Sequence, residues 1–167
     1  SLHALAIRDN DFGRVDASLV LDRVAIVFKP SIAQQQELEL LLAAQRDPGS
    51  PSFRQWLSPD EYAARFGMSD ADLDAVRAWL AAQGLTVQGT SRSRNELYFR
   101  GSAAQIESAF RTELHRYRVG DELHFANATE PSVPAAFGDV VLAIRKLSDF
   151  RPEPRLRRAF AAPRFTS

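Results

Sequence analysis

The stretch LDRVAIVFK, residues 21–29, indicates the fold of this chain more clearly than any other segment. Val24, Ile26 and Phe28 alternate with other residues, and β-branched side chains are frequent, as in a β-strand with one buried face. Pro30 ends the strand. The segment that follows is amphipathic and begins with a serine, a typical helix start. A strand followed directly by a helix predicts a mixed fold of α-helices and β-strands.

Three helices are predicted between this first strand and the second. The first begins at a capping box and ends at the loop DPGSPS, residues 47–52. The second is capped by Ser58 and ends at Gly67, where we expect a left-handed residue. The third begins at Ser69 and ends at Gly84. The chain is therefore expected to carry extra helices after its first strand.

The other elements follow from alternation, caps and turn signals. They are strands over 85–88 and 96–100, a helix from Ser102, a hairpin over 113–125 and a last strand over 140–147. This order predicts an α+β, ferredoxin-like open sandwich, with an antiparallel β-sheet and helices packed on one face. The extra hairpin precedes the last strand.

Composition excludes several classes of protein. The chain has 167 residues, of which 45% are hydrophobic and 25% charged, which fits one globular domain. It has no cysteine, so disulfides, thiolate metal sites and thiol nucleophiles are excluded. The apolar run at 140–144 is far shorter than the roughly 20 residues of a membrane-spanning helix. We therefore expect no membrane span, and the first residues do not resemble a signal peptide.

Nucleic-acid binding is not expected. The formal net charge is zero, so no overall field attracts a polyanion. RNA-recognition domains of ferredoxin-like order carry an aromatic motif that the string NELYFRG does not match. Tyr98 and Phe99 are neighbours in a strand and face opposite sides of the sheet, so they cannot form one stacking platform.

No catalytic or metal-binding group is assigned to this chain. Gly89-Thr90-Ser91 resembles part of a serine nucleophile motif, but its polar surroundings favour a turn. His115 and His124 would form a metal site only if they faced each other across the predicted hairpin. The expected register instead places His124 opposite Tyr117. Paired carboxylates in the first turns of the second and third helices are interpreted as solvated groups that meet the helix dipole.

The end of the chain differs from the rest. Residues 151–167 contain five arginines and one glutamate, a net charge of +4, so residues 1–150 carry −4. This segment has three prolines and no helical or strand period, which is typical of an extended linker. The predicted organisation is an N-terminal arm over 1–20, a core over 21–150 and a basic linker over 151–167. The candidate processing residues in the linker are Arg151, Arg155, Arg157, Arg158, Phe160 and Arg164.

Three strings together resemble one protein family. They are LLAAQRDPGSPSFRQWLSPDEYAARFG at 41–67, AAQIESAFRTELHRY at 103–117 and FANATEPSVPAAF at 125–137. These strings are similar to the activation domain of the sedolisins, or serine-carboxyl peptidases, known as the pro-kumamolisin activation domain. The resemblance extends from about residue 3 to residue 150.

The resemblance implies a propeptide that inhibits a following catalytic domain, assists its folding and is removed by acid-triggered autoproteolysis. It implies a subtilisin-like catalytic domain in cis as the partner, and a secreted or extracytoplasmic location. The catalytic Glu, Asp and Ser of the family, and its calcium site, would lie in that other domain, so this chain itself is expected to be non-catalytic and without a cofactor. The alternative is a free-standing ferredoxin-like protein-binding module without a peptidase in cis.

Acid release suggests a charged interface. If carboxylates of the −4 body pair with arginines of the enzyme, protonation removes the pairs as the pH falls below about 4. The candidate acidic interface consists of Asp60, Glu61, Asp70, Asp72 and Asp74.

Overall fold

The computed structural model describes residues 2–150, which form seven strands and four α-helices. In chain order these are β1 (Asp11–Arg14), β2 (Val20–Phe28), α1 (Ile32–Arg46), α2 (Pro59–Phe66), α3 (Asp70–Ala82), β3 (Thr86–Thr90), β4 (Glu96–Ser102), α4 (Ala103–Phe110), β5 (Leu114–Val119), β6 (Glu122–Asn127) and β7 (Val141–Arg145).

The main sheet has the order β3-β4-β2-β7, and all of its pairs are antiparallel. The strands of this sheet occur along the chain in the order β2, β3, β4, β7, so the first of them, β2, lies between the third, β4, and the fourth, β7. This arrangement confirms the predicted ferredoxin-like α+β fold. The strand predicted from the alternation of Val24, Ile26 and Phe28 is β2, and these three side chains all belong to the core.

A bulge in β2 adjusts which side chains face the core. Leu21 pairs with Gly101 and Val24 with Phe99, so β2 has one residue more than β4 over this stretch. The backbone accommodates the extra residue at Arg23, whose φ is 52°. Because side chains alternate along a strand, the inserted residue lets Leu21 and Val24 both lie in the core.

Helices α3 and α4 contribute their apolar faces to the core that includes β2 and β4. Leu80 is fully buried, as is Phe110, whose ring stacks on Phe99 with 5.5 Å between centroids. The Trp79 ring meets Phe110 edge-on at 5.4 Å. The buried residues of α3 are Leu73, Val76 and Leu80, which form its apolar face.

Helix α1 lies outside this core. Of its residues, all of which the structure describes, Gln45 alone is buried, and Leu40 is 73% exposed. The helix is instead joined to α2 by the ion pair between Glu37 and Arg65, and Gln34 donates to the Arg65 carbonyl at 3.2 Å. Its amphipathic sequence and serine start indicated a helix correctly but did not indicate where that helix packs.

The predicted hairpin and the N-terminal arm together form a second sheet, with the order β1-β5-β6. The hairpin has the expected register, with Tyr117 opposite His124. Residues 1–20 show no period from which a strand could be predicted, yet Asp11 pairs with Tyr117 and so places β1 beside β5. The order in this part of the arm comes from pairing with a distant strand.

The two helix-terminal glycines differ. Gly84 has a φ of 75° and ends α3 in the left-handed conformation. The left-handed conformation predicted for Gly67 is wrong, because its φ of −75° and ψ of 166° are those of extended backbone. Glycine is needed there for space, because an added Cβ would lie 2.5 Å from the Ala63 carbonyl oxygen and 2.9 Å from the Arg94 Cβ.

Candidate functional site

Two of the predicted interface carboxylates bind the turn between β3 and β4. Both oxygens of Asp60 accept hydrogen bonds from the Arg92 guanidinium, at 3.0 and 2.8 Å. Asp70 forms an ion pair with Arg94 of the same turn. The hydrogen bonds from Arg92 lower the pKa of Asp60 below the usual carboxyl value. The starts of α2 and α3 are thereby attached to the main sheet.

The other three predicted carboxylates have local partners. Glu61 accepts the backbone N–H of Ser58 at 2.8 Å, which lowers the pKa of Glu61 and closes a capping box. Asp72 accepts the Ser69 hydroxyl at 2.6 Å. The third, Asp74, lies 2.9 Å from an arginine of its own helix. The helix-start interpretation fits Glu61 and Asp72, while use of the five carboxylates against a second protein stays a prediction.

Ser91 belongs to a turn, as its surroundings predict. Its hydroxyl donates to the Asn95 side chain at 2.8 Å and accepts the Glu96 N–H at 3.0 Å. Among the described residues, no imidazole or carboxylate is hydrogen-bonded to it. Its role in the structure is to close the connection between β3 and β4.

The histidines of the hairpin are each flanked by carboxylates. The Nδ1 atom of His115 lies 2.8 Å from Asp11, which requires a proton on Nδ1, and its buried Nε2 lies 3.5 Å from Glu113 without a hydrogen bond. Burial tends to raise the pKa of Asp11, but the Gly13 N–H and the imidazole outweigh it and hold the pKa below its ordinary value. Within residues 2–150, no group of three or more His, Cys, Asp or Glu is placed to hold a metal ion.

A cluster that the sequence did not predict surrounds the last described residue. The Phe150 ring stacks on His3 with 4.2 Å between centroids and 1° between planes, and on His124 with 4.5 Å and 26°. Tyr117 lies 6.5 Å away. We call this cluster the exit site, because the chain continues from it into the predicted linker; it consists of His3, Tyr117, His124, Asp149 and Phe150.

Backbone contacts also attach the exit site to β6. The Asp149 N–H donates to the Phe125 carbonyl at 3.2 Å, and the Asp149 carboxylate accepts the Phe125 N–H at 2.8 Å. The same carboxylate oxygen lies 3.4 Å from His124 Nδ1, while Glu122 lies 3.3 Å from Nε2. Burial raises the pKa of Tyr117, and the nearby charge of Asp11 adds to that effect.

Only part of this arrangement had a signal in the sequence. The hairpin register placed Tyr117 and His124 opposite each other, but nothing in the sequence connects His3 or Phe150 with that pair. The candidate processing residues at 151–167 lie outside the described residues. No helix within residues 2–150 has the length and apolar character needed to cross a membrane.

Comparison with known proteins identifies relatives. The chain is 33% identical to xanthomonalisin of Xanthomonas sp. (strain T-22) over 67% of its own length and 14% of that protein. It is 27% identical to sedolisin of Pseudomonas sp. (strain 101) over 79% of its length and 23% of that protein. It is 28% identical to tripeptidyl-peptidase 1 of Canis lupus familiaris over 87% of its length and 26% of that protein.

These relatives correct one expectation. The partner inferred from the resemblance was a subtilisin-like catalytic domain, and this is wrong: the relatives are sedolisins, in which the propeptide precedes a sedolisin-type domain. The chain spans about a quarter or less of the length of the relatives named here. The family described as Pro-kumamolisin, activation domain, matches residues 10–150. The chain therefore belongs to the pro-kumamolisin activation domains and is a sedolisin-family propeptide domain rather than a catalytic one.

Proposed function

We propose that this chain is the propeptide of a secreted, acid-acting serine endopeptidase precursor whose catalytic domain is of the sedolisin type. It would inhibit that domain, assist its folding and be removed by acid-triggered autoproteolysis. The observation that carries the proposal is the family match over residues 10–150. Any calcium site is assigned to the catalytic domain, and none to this chain.

The position of the exit site supports the proposed removal. The fold attaches Asp149 and Phe150 to β6, and the basic linker begins at the next residue. Extended segments with polar and small residues are preferred sites of proteolysis. We therefore place the processing region within residues 151–167, after the last described residue.

The exposed carboxylates support an acid-sensitive interface. The side chain of Asp60 is 66% exposed, that of Asp70 85% and that of Asp74 72%, although each already pairs with an arginine of this chain. If an arginine of the catalytic domain also holds them ionised, their pKa in the complex lies below that in the free chain. Binding is then complete at neutral pH and is lost as the pH falls through the lowered value.

The test measures inhibition in trans. The 167-residue chain is added to the mature catalytic domain of its own precursor. The dissociation constant is determined by a direct binding measurement at about pH 7 and about pH 3.5, and inhibition of peptidase activity is measured at the acid pH. We expect tight binding at neutral pH that weakens at acid pH. The triple variant D60N, D70N and D74N should bind more weakly at neutral pH and depend less on pH.

The matched control also removes three exposed carboxylates. Glu39, Asp121 and Asp139 are exposed and lie outside the predicted interface, so E39Q, D121N and D139N should leave the pH dependence unchanged. Equal affinity at both pH values, with both proteins folded, would contradict the acidic interface. Absence of binding at both pH values would favour the free-standing binding module.

A further inference from the structure

A groove of about 1250 Å³ lies at one edge of the main sheet. It is bounded by the end of β2, the first turns of α1 and α3, helix α2 and the residues that lead into β7. Because β7 is an edge strand, no further strand of the described chain lies along its outer side. We call this concavity the acidic groove; it is defined by Phe28, Ile32, Tyr62, Asp72, Asp139 and Leu142.

The acidic groove exposes apolar side chains to solvent. Ile32 is 79% exposed and Leu142 63% exposed. The groove also contains the rings of Tyr62 and Phe66, whose centroids are 5.3 Å apart. Large exposed apolar side chains that share one concavity indicate a surface that another chain segment can cover.

The groove also carries negative charges without cationic partners. Of its three carboxylates, Asp70 pairs with Arg94, whereas Asp72 and Asp139 are exposed and form no ion pair with a described residue. Lys29 is the other cation that lines the groove, and its Nζ atom donates to a backbone carbonyl at 3.0 Å. A segment that binds here should therefore combine positive charge with apolar side chains.

The linker of this chain has that composition. Residues 151–167 carry a net charge of +4 and also contain Leu156, Phe160 and Phe165. Arginine lies close to each of the two aromatic residues, since Arg158 precedes Phe160 by two positions and Arg164 directly precedes Phe165. The linker therefore complements both the charge and the apolar surface of the groove.

The linker is also long enough to return to the groove. Val140, which lines it, and Phe150 are ten residues apart, so the straight distance between them cannot exceed about 33–36 Å. Lys146, whose φ is 64°, interrupts the extended backbone between them, so the actual distance is shorter. Residues 151–160 can span the same maximum length. Phe160 can therefore reach the groove, and Phe165 reaches it with residues to spare.

We propose that the end of the linker, residues 156–165, binds in the acidic groove of the same molecule. Phe160 and Phe165 pack against its apolar side chains, and the neighbouring arginines pair with Asp72 and Asp139. Exposed ion pairs contribute modestly, so the apolar contacts provide most of the affinity. The covalent connection adds to it, because a segment joined to its binding site has a high effective concentration there.

Docking in the groove would shield part of the predicted processing region. Asp70 and Asp72 belong both to the groove and to the candidate acidic interface. A catalytic domain that binds this interface would therefore displace the linker and make it accessible. This last step rests on the proposed function, whereas the docking itself goes beyond it and needs no catalytic domain.

The test locates the end of the linker by NMR. Because the chain has no cysteine, S167C provides a single site for a nitroxide spin label, two residues from Phe165. The loss of backbone amide signal that the label causes is measured on the 167-residue chain at neutral pH. We expect Leu142 and Asp72 to lose about three times as much intensity as Gly84, which follows α3 at the end opposite Asp72. Equal losses at the three positions would overturn the docking.

A charge variant tests the predicted ion pairs. D72N with D139N keeps the shape of both side chains but removes their charges, so the excess signal loss at Leu142 should fall by about half. D9N with D121N is the matched control, because both residues are exposed and neither lines the groove. The control should leave the excess loss unchanged, and an equal fall in both variants would contradict specific pairing in the groove.

A linker variant leaves every described residue unchanged. F160A with F165A should abolish the excess signal loss at Leu142, and an unchanged loss would overturn the proposal. Docking within one molecule is checked with an equal mixture of spin-labelled chain and isotope-labelled chain that carries no spin label. Signal loss at Leu142 in that mixture would place the linker in a second copy and reject the intramolecular contact. None of these results bears on inhibition of a catalytic domain, so the proposed function is tested separately.

Discussion

Gly67 lies between α2 and α3 where a side chain has no room. A Cβ there would be 2.5 Å from the Ala63 carbonyl oxygen and 3.0 Å from the Ser93 carbonyl oxygen, both of which are backbone atoms. We expect G67A to lower the free energy of unfolding by about 1–3 kcal/mol, as measured by urea denaturation. G49A is the control, since its nearest neighbour is a flexible side-chain oxygen at 3.4 Å. Equal stability of the two variants would contradict this explanation.

The pair between Asp60 and Arg92 gives a second prediction at the residue scale. The arginine lowers the pKa of Asp60. The pair therefore stabilises the fold fully above the ordinary carboxyl pKa, and this contribution is lost as the pH falls through the lowered value. We expect D60N to unfold at a lower temperature than the wild type at neutral pH, with a difference that shrinks between about pH 5 and 2.5.

Thermal unfolding followed by circular dichroism measures that difference. D139N is the matched control, because Asp139 is exposed and makes no ion pair with a described residue. The unfolding temperature of D139N should differ little from that of the wild type at every pH. A D60N difference that is constant over the acid range would show that the Arg92 pair does not contribute to acid sensitivity.

Local rules predicted single residues well where the neighbours in sequence decide the outcome. Gln34 and Gln105 complete capping boxes, and Tyr117 faces His124, because helix starts and tight hairpins are determined within a few residues. Gly67 and Phe150 depend on distant chain segments. Gly67 packs on the β3–β4 turn and Phe150 on His3, so no local pattern contains that information.

At the scale of elements, α1 and α3 both carry leucines, four in α1 and two in α3, but the two helices have different roles. Leu80 of α3 is fully buried, whereas Leu40 of α1 is 73% exposed. We expect L80A to cost about 2–5 kcal/mol of unfolding free energy, because it leaves a cavity in the core. L40A should change it by less than about 0.5 kcal/mol. Urea denaturation of both variants checks this, and a large loss for L40A would mean that α1 packs on the core after all.

The helices and hairpins were predictable because each carries its own start, period and turn. The strand β1 was not, since Asp11–Arg14 has no alternation and its order depends on β5. The bulge at Arg23 could not be predicted either, because Val24, Ile26 and Phe28 alternate regularly after it. A sequence pattern predicts which face of a helix or strand is buried. It does not predict which distant strand will pair with a segment, such as β1, that has no pattern of its own.

At the scale of the whole molecule, the boundary after Phe150 can be tested by truncation. The buried hydrophobic residues of the described chain lie between Val15 and Leu147. We expect a chain that ends at Phe150 to unfold within about 2 °C of the 167-residue chain. One that ends at Leu147 should unfold several degrees lower, because it lacks the Asp149 and Phe150 contacts with β6. Equal melting of all three would mean that these contacts contribute nothing to stability.

The contacts of Asp149 have a further consequence for the whole molecule. They occupy part of β6, an edge strand of the second sheet, at the N–H and carbonyl of Phe125. A chain that ends at Leu147 would leave both groups without these partners, beside Leu123, which is 52% exposed. Unpaired strand edges with apolar neighbours promote self-association. The attached exit segment would thus protect the chain from self-association, and a chain that ends at Leu147 should aggregate more readily as its concentration rises.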